Sequence, residues 1–157
     1  MLSFSGCSRH QLDDKGRFNL PKRFVDQIGD RETTFRLTAG PDGCLMLLDS
    51  ATWLAEAEPL MQQVFGTRKQ RLRRRVILGH AEEVVPDKAG RVLLPEPLRK
   101  YADIDLSSNV WLVGAGKAIE IWSNDRWSRF VKQMEAATFF DEESNLADSE
   151  SVATAVP

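Results

Sequence analysis

Two stretches of the chain carry the same charged side chains at the same spacing. Asp13-Asp14-Lys15-Gly16-Arg17 and Asp87-Lys88-Ala89-Gly90-Arg91 each set a carboxylate four residues before a guanidinium, with glycine just ahead of the arginine. A carboxylate at the head of a tight loop accepts backbone N–H groups and pairs with such an arginine, fixing the loop and leaving a long guanidinium projecting from it. An arginine held this way suits the O6 and N7 acceptors of guanine, and a two-stranded ribbon of suitable charge fits a DNA major groove. The plainer reading is that each pair only staples its turn. Spacing alone leaves both readings open.

The two stretches belong to a longer duplication. Leu20-Pro21 returns as Leu94-Pro95, and the same displacement of 74 residues carries Gly40 onto Gly114 and Trp53 onto Trp127 with no gap. A duplicated unit makes pairing of the halves the default expectation. If the two hairpins pair about a pseudo-twofold, Arg17 and Arg91 share one surface with Lys15 and Lys88, while Asp13 and Asp87 hold the arginines. Lys15 corresponds to Ala89 and Lys88 to Asp14, so the two ends need not read a duplex identically.

The elements that must position these residues follow from pattern. Ser8 to Leu12 and Arg17 to Leu20 flank the first polar loop and predict a β-hairpin. Pro21 to Ile28 predicts a short helix with Phe24, Val25 and Ile28 on one side. Strands follow over Thr34 to Thr38 and Cys44 to Leu48 around the turn Gly40-Pro41-Asp42-Gly43. Asp49-Ser50 caps a helix from Ala51 to about Val64, with Trp53, Leu54, Ala57 and Met61 at helical spacing. The second unit repeats the order: Glu82 to Val85, a loop to Gly90, Arg91 to Leu94, helix Pro95 to Tyr101, strands Asn109 to Val113 and Ala118 to Trp122 around Gly114 to Lys117, and helix Asn124 to Ala136. The fold class is therefore α+β and mainly β, a tandem repeat of hairpin and helix units. Its expected parts are residues 7–54 and 81–128 as the repeats, 55–80 as a helical, basic connector, and 129–157 as a helix end and an acidic, disordered tail.

Composition narrows the function. Two units of about 48 residues each lie near the size at which a lone core is marginal, so the halves need each other. Net charge is −2, yet Phe139 to Pro157 holds five acidic residues and no basic ones, which leaves 21 basic against 18 acidic residues in the body. Arg68 to Arg75 contains six basic residues; it either grips phosphates or forms a solvated helical face anchored by Leu72, Val76 and Ile77. Cys7 and Cys44 are too few for a disulfide framework and predict free thiols in a reducing compartment. No stretch reaches the length of a membrane span and no signal segment is recognisable, which predicts a cytoplasmic protein. Leu112 to Lys117 fails as a phosphate loop for want of the first glycine and of the Ser or Thr after the lysine. His10 and His80 belong to no ligand-spaced cluster, so neither metal, cofactor nor enzymatic chemistry is expected.

Leu12 to Arg17, Asp42-Gly43-Cys44-Leu45, Leu78-Gly79-His80-Ala81-Glu82, Asp87 to Arg91, Leu112-Val113-Gly114 and Glu120-Ile121-Trp122, in this order, resemble the MraZ family of regulators of bacterial division and cell-wall gene clusters. The resemblance runs from about Phe4 to Trp127. It implies two swapped-hairpin units related to the AbrB and SpoVT DNA-binding fold, forming a β-barrel with flanking helices and assembled as a ring homo-oligomer. It also implies binding to short direct repeats in the regulator's own promoter, association with the nucleoid, and a DNA role for Arg17 and Arg91. The competing reading is a structural or protein-interaction ring with nonspecific nucleic-acid affinity; neither reading involves a membrane or a small-molecule substrate.

Overall fold

Neither Asp–Arg turn opens the hairpin that its flanking residues predict. In a computed structural model that describes residues 3–28 and 34–134, strand β1 (Cys7–Gln11) and strand β2 (Arg17–Asn19) are joined by the turn bond from Asp13 N–H to the Arg17 carbonyl, 2.8 Å. They then part. β1 runs antiparallel to β7 (Asn109–Ala115), and β2 runs antiparallel to β6 (Arg91–Leu93). In the other unit β5 (Glu82–Val84) leaves β6 and pairs with β3 (Phe35–Ala39). The physical reason is burial. A half-unit cannot cover its own apolar strands, and exchanging edge strands lets each half complete the other's core. The helix end beyond Met134 and the acidic tail lie outside the described residues.

The remaining strands, β4 (Leu45–Asp49) and β8 (Ala118–Ser123), pair at the centre of a six-stranded sheet ordered β1-β7-β8-β4-β3-β5; β2 and β6 form a separate two-stranded ribbon. Exchange of the two units leaves this order unchanged. Phe18 pairs with Val92 and Met46 with Glu120, each residue with its own counterpart, so the pseudo-twofold passes through the centre of the ribbon and the centre of the β4–β8 ladder. Among the described residues the strands pair as these two separate ladders. The ribbon shares the sheet's core and is tied by the two turns to the edge strands β1 and β5.

The duplication is not gapless in space. Phe35 pairs with Asp49 and Val110 with Ser123, so β3 maps onto β7 at 75 residues while β4 maps onto β8 at 74. The extra residue ahead of β7 is recovered in a tighter turn, Gly116-Lys117, against the longer bend around Pro41–Gly43. Gly40 is therefore the counterpart of Ala115, and Gly114 does different work. A methyl group on Gly40 would meet the Met46 Cγ at 2.7 Å, whereas one on Gly114 would run into the backbone of Phe4 and Ser5, which cross beside β7.

Period-two alternation divides the core. Leu45 and Leu47 of β4 join Phe18, Val92, Phe24, Leu98 and Ile121 on one side of the sheet, together with helices α1 (Lys22–Ile28) and α4 (Glu96–Ala102). Met46 and Leu48 face the other side, where α2 (Ser50–Gln62) and α3 (Arg68–Gly79) pack through Trp53, Ala57, Ile77 and Leu78. Four expected core positions are exposed instead. Val25, Leu54, Met61 and Leu72 lie on helix flanks turned from the sheet, because one layer of sheet covers only a narrow stripe of each helix. Asp49 caps α2 through the Thr52 N–H, 2.7 Å. Thr67 and Gln70 form a capping box that starts α3 at Arg68. The last helix, α5 (Asn124–Gln133), stacks Trp127 on Phe130 at 6.0 Å between ring centres.

Both cysteines are free thiols. Burial pushes Cys44 up to about 12, while Cys7 is exposed, so Cys7 is the expected site of alkylation in the native protein.

Strand exchange yields a direct test. Chains cut in the connector, 1–66 and 67–157, should each lack β structure by circular dichroism and regain it on equimolar mixing. Phe18→Ala, at the fully buried centre of the ribbon, should lower stability by about 3–5 kcal/mol in denaturant titration.

Candidate nucleic-acid interface

The two turns are built alike. Asp13 Oδ1 accepts the N–H groups of Lys15 (2.9 Å) and Arg17 (2.8 Å), and Oδ2 accepts from Arg17 Nε at 2.8 Å. Asp87 Oδ1 accepts the N–H groups of Ala89 and Arg91, both at 2.9 Å, and Oδ2 accepts from Arg91 Nε at 2.8 Å. Gly16 and Gly90 supply φ of +85° and +76°, the left-handed conformation that turns their N–H groups back to the carbonyls of Asp13 and Asp87. The backbone N–H groups of Arg17 and Arg91 hold both carboxyls below the usual carboxylate range; the opposing effect of burial comes next, and the guanidinium groups and the N–H groups of Lys15 and Ala89 add to the lowering.

The staple is built as the spacing predicts. Each carboxylate engages only Nε, and the terminal nitrogens of Arg17 and Arg91 have no hydrogen-bond partner among the described residues. The staple orients the guanidinium without occupying its outer end. That end is the one that makes a bidentate contact with a guanine edge.

The ribbon brings the two arginines together. Its central residues, Phe18 and Val92, point into the core, so alternation turns Arg17, Asn19, Arg91 and Leu93 to the opposite, outward face. Arg17 stands across from Leu93, and Asn19 across from Arg91. The arginine Cα atoms are thus offset by two residues along the strands and one strand across, roughly 8 Å apart from standard strand spacings. Lys15 and Lys88 are exposed in the turns at either end. Reciprocal bonds stitch each turn to the opposite strand, Leu94 N–H to the Gly16 carbonyl (2.8 Å) and Leu20 N–H to the Gly90 carbonyl (2.9 Å).

The two ends differ in their support. Gly16 is buried, and a methyl group there would meet Arg99 Nε and the Leu94 carbonyl at 3.2 Å, whereas nothing lies within 4 Å of the same position on Gly90. Arg99 donates to the Leu94 carbonyl at 3.1 Å, and Ser107 N–H reaches the Asp13 carbonyl at 3.3 Å. Sequence reasoning missed Arg99, Ser107, Asn19 and Leu93. The last two were recoverable from the alternation around Phe18 and Val92; the buttress from Arg99 had no signal in the pattern.

The basic run of α3 does not share this face. It packs on the side of the sheet away from the ribbon, as the division of the core requires. Arg71 donates to the Gly66 carbonyl at 2.7 Å, and Arg74 to the carbonyls of Phe65 and Val64 at 3.1 and 2.8 Å, so two of the six charges secure the preceding loop. Leu72 does not anchor the helix; it is 58% exposed. Among the described residues there is no metal-ligand cluster and no helix long and apolar enough to cross a membrane.

The fold and this surface define a class: an α+β, mainly β protein of tandem swapped units that carries two aspartate-held arginines on one outward ribbon. The family described as "MraZ protein, putative antitoxin-like" matches the chain twice, over residues 3–75 and 77–150. A protein of Thioalkalivibrio sulfidiphilus named transcriptional regulator MraZ is 36% identical over 150 residues, 95% of each chain. Namesakes from Desulforamulus reducens and Carboxydothermus hydrogenoformans are 37% and 36% identical over 134 residues, 85% of this chain and 91% and 90% of theirs. The chain belongs to the MraZ family.

The depressed aspartates set the sign of an acid effect. A carboxyl whose folded pKa lies below its unfolded value contributes stability that is fully present above the unfolded pKa of about 4 and is lost as pH falls through the folded one. The melting temperature should therefore drop as pH is lowered from about 5 towards 2. The double variant Asp13→Asn/Asp87→Asn should melt lower at neutral pH and show a shallower acid limb, measured by thermal circular dichroism.

Proposed function

We propose that this protein is a sequence-specific DNA-binding regulator of transcription. It binds short direct repeats in its own promoter as a ring homo-oligomer, controls a bacterial division and cell-wall gene cluster, and associates with the nucleoid in the cytoplasm. The observation that carries the reading is the pair of identically built turns whose arginines present free terminal nitrogens on one ribbon. Membership of a family whose curated members are named transcriptional regulators supports it. In this reading Arg17 and Arg91 contact bases, Lys15 and Lys88 contact phosphates, and Asp13 and Asp87 orient the arginines.

A three-residue ribbon covers few base pairs, so affinity must come from linked contacts. Several subunits in a ring engage consecutive repeats together, which raises avidity by about 100-fold or more without any new contact.

Binding to the protein's own upstream fragment should exceed binding to scrambled DNA at physiological salt. Equal affinity for both, lost together as salt rises, would overturn the reading. Arg17→Ala should cost about 1–3 kcal/mol per engaged site on the promoter and less on scrambled DNA, and Arg91→Ala should weaken binding as well. Affinity should climb steeply from one to three direct repeats at helical-turn phasing and fall when about 5 base pairs are inserted between them. Light scattering on the same samples reports the assembly; a monomer would rule out the ring.

A further inference from the structure

The outward face of the ribbon holds one symmetric pair of side chains and one asymmetric pair. Arg17 and Arg91 are counterparts across the pseudo-twofold, but Asn19 has Leu93 as its counterpart. Neither side chain is built into the core: that of Asn19 is exposed and makes no hydrogen bond among the described residues, and Leu93 is 49% exposed although apolar. The register gives the two arginines unlike neighbours, with Leu93 across from Arg17 and Asn19 across from Arg91.

We infer that Asn19 and Leu93 set the direction in which this protein reads a duplex. The inference rests on the ribbon entering the major groove, as proposed above. A twofold ribbon centred on the groove relates the two DNA strands, so two equivalent arginines read guanines on opposite strands and the site would be a palindrome. The second pair breaks that symmetry. An asparagine makes a bidentate contact with the N7 and N6 amino group of adenine, whereas an aliphatic side chain packs on the thymine methyl. The guanine read by Arg91 therefore gains an adjacent adenine preference from Asn19, and the guanine read by Arg17 gains an adjacent thymine preference from Leu93. One subunit then binds its site in one orientation only. A series of copies bound side by side in one orientation requires repeats in the same direction along the DNA.

The test is selection from duplexes randomised over about three helical turns, roughly 30 base pairs, long enough for several linked sites, with the full chain and sequencing of the bound fraction. The wild type should enrich sites holding one guanine on each strand with unlike neighbours. Leu93→Asn should convert this to a palindrome with adenine beside both guanines, and Asn19→Leu should lose the adenine preference by about tenfold while keeping both guanines. Both positions are exposed, so both variants should melt close to the wild type. A palindromic wild-type site, or a variant that folds and enriches the unchanged asymmetric site, would overturn this inference and leave DNA reading by the arginines intact. A wild type that enriches nothing over the input would remove the DNA reading itself.

Discussion

Everything in this molecule depends on the exchange of edge strands between its halves. β1 lies in the other unit's half of the sheet and so does β5, and the ribbon takes one strand from each unit. A half of about 48 residues buries too small a fraction of its surface to stand alone, but the exchange makes one core from two marginal ones. It also fixes the working surface. Because the pseudo-twofold runs through Phe18 and Val92, the core contact and the outward face share an axis, and burying those two side chains is what aims Arg17 and Arg91 outward. Packing and presentation are therefore a single event.

How much of this could be read from residues alone follows the range of the interactions. The Asp–Arg turns were legible because the bonds to each carboxylate span four residues or fewer. The partner of β1 was not. Alternation predicts a strand but carries no address, and β1 pairs with β7, near the far end of the described chain, rather than with β2, its neighbour in sequence. The apolar stripes of the helices misled for a similar reason. Trp53 and Leu54 are neighbours in sequence and both apolar, and only the position of the sheet decides that the first is buried and the second is not. The displaced register of β3 was hidden by two compensating one-residue changes, which leave Trp53 and Trp127 in step while moving the strand between them.

The duplication preserves what both halves must do and departs where they need to differ. The three turn bonds recur in both halves to within a tenth of an ångström: the two Nε contacts are both 2.8 Å, and the four contacts to Oδ1 lie between 2.8 and 2.9 Å. The surroundings do not recur. Arg99 and Ser107 close around the first turn, whereas Gly90 of the second faces open space. A rigidly supported arginine loses less freedom on contact than one on an open turn. Equal chemistry at the two ends of the ribbon thus need not mean equal contribution to affinity.

Charge leads to the last step. The two turns and the ribbon carry four basic side chains, Lys15, Arg17, Lys88 and Arg91, against three acidic ones, Asp13, Asp14 and Asp87. Two of those carboxylates are held in the ionised form by the very backbone groups that shape the turns. The surface is therefore only weakly cationic. Nonspecific attraction to DNA scales with the number of phosphates neutralised, so in the proposed reading a single ribbon would hold random DNA poorly, and discrimination would fall to its oriented guanidinium ends. Such a surface favours selectivity over grip. The strongly basic helix α3 lies on the other side of the sheet and adds no charge to this face. In the proposed DNA-binding reading, affinity would then be gained by number, through several weakly charged ribbons acting on one DNA, and the acidic cost of stapling each arginine is what would make that multiplicity necessary.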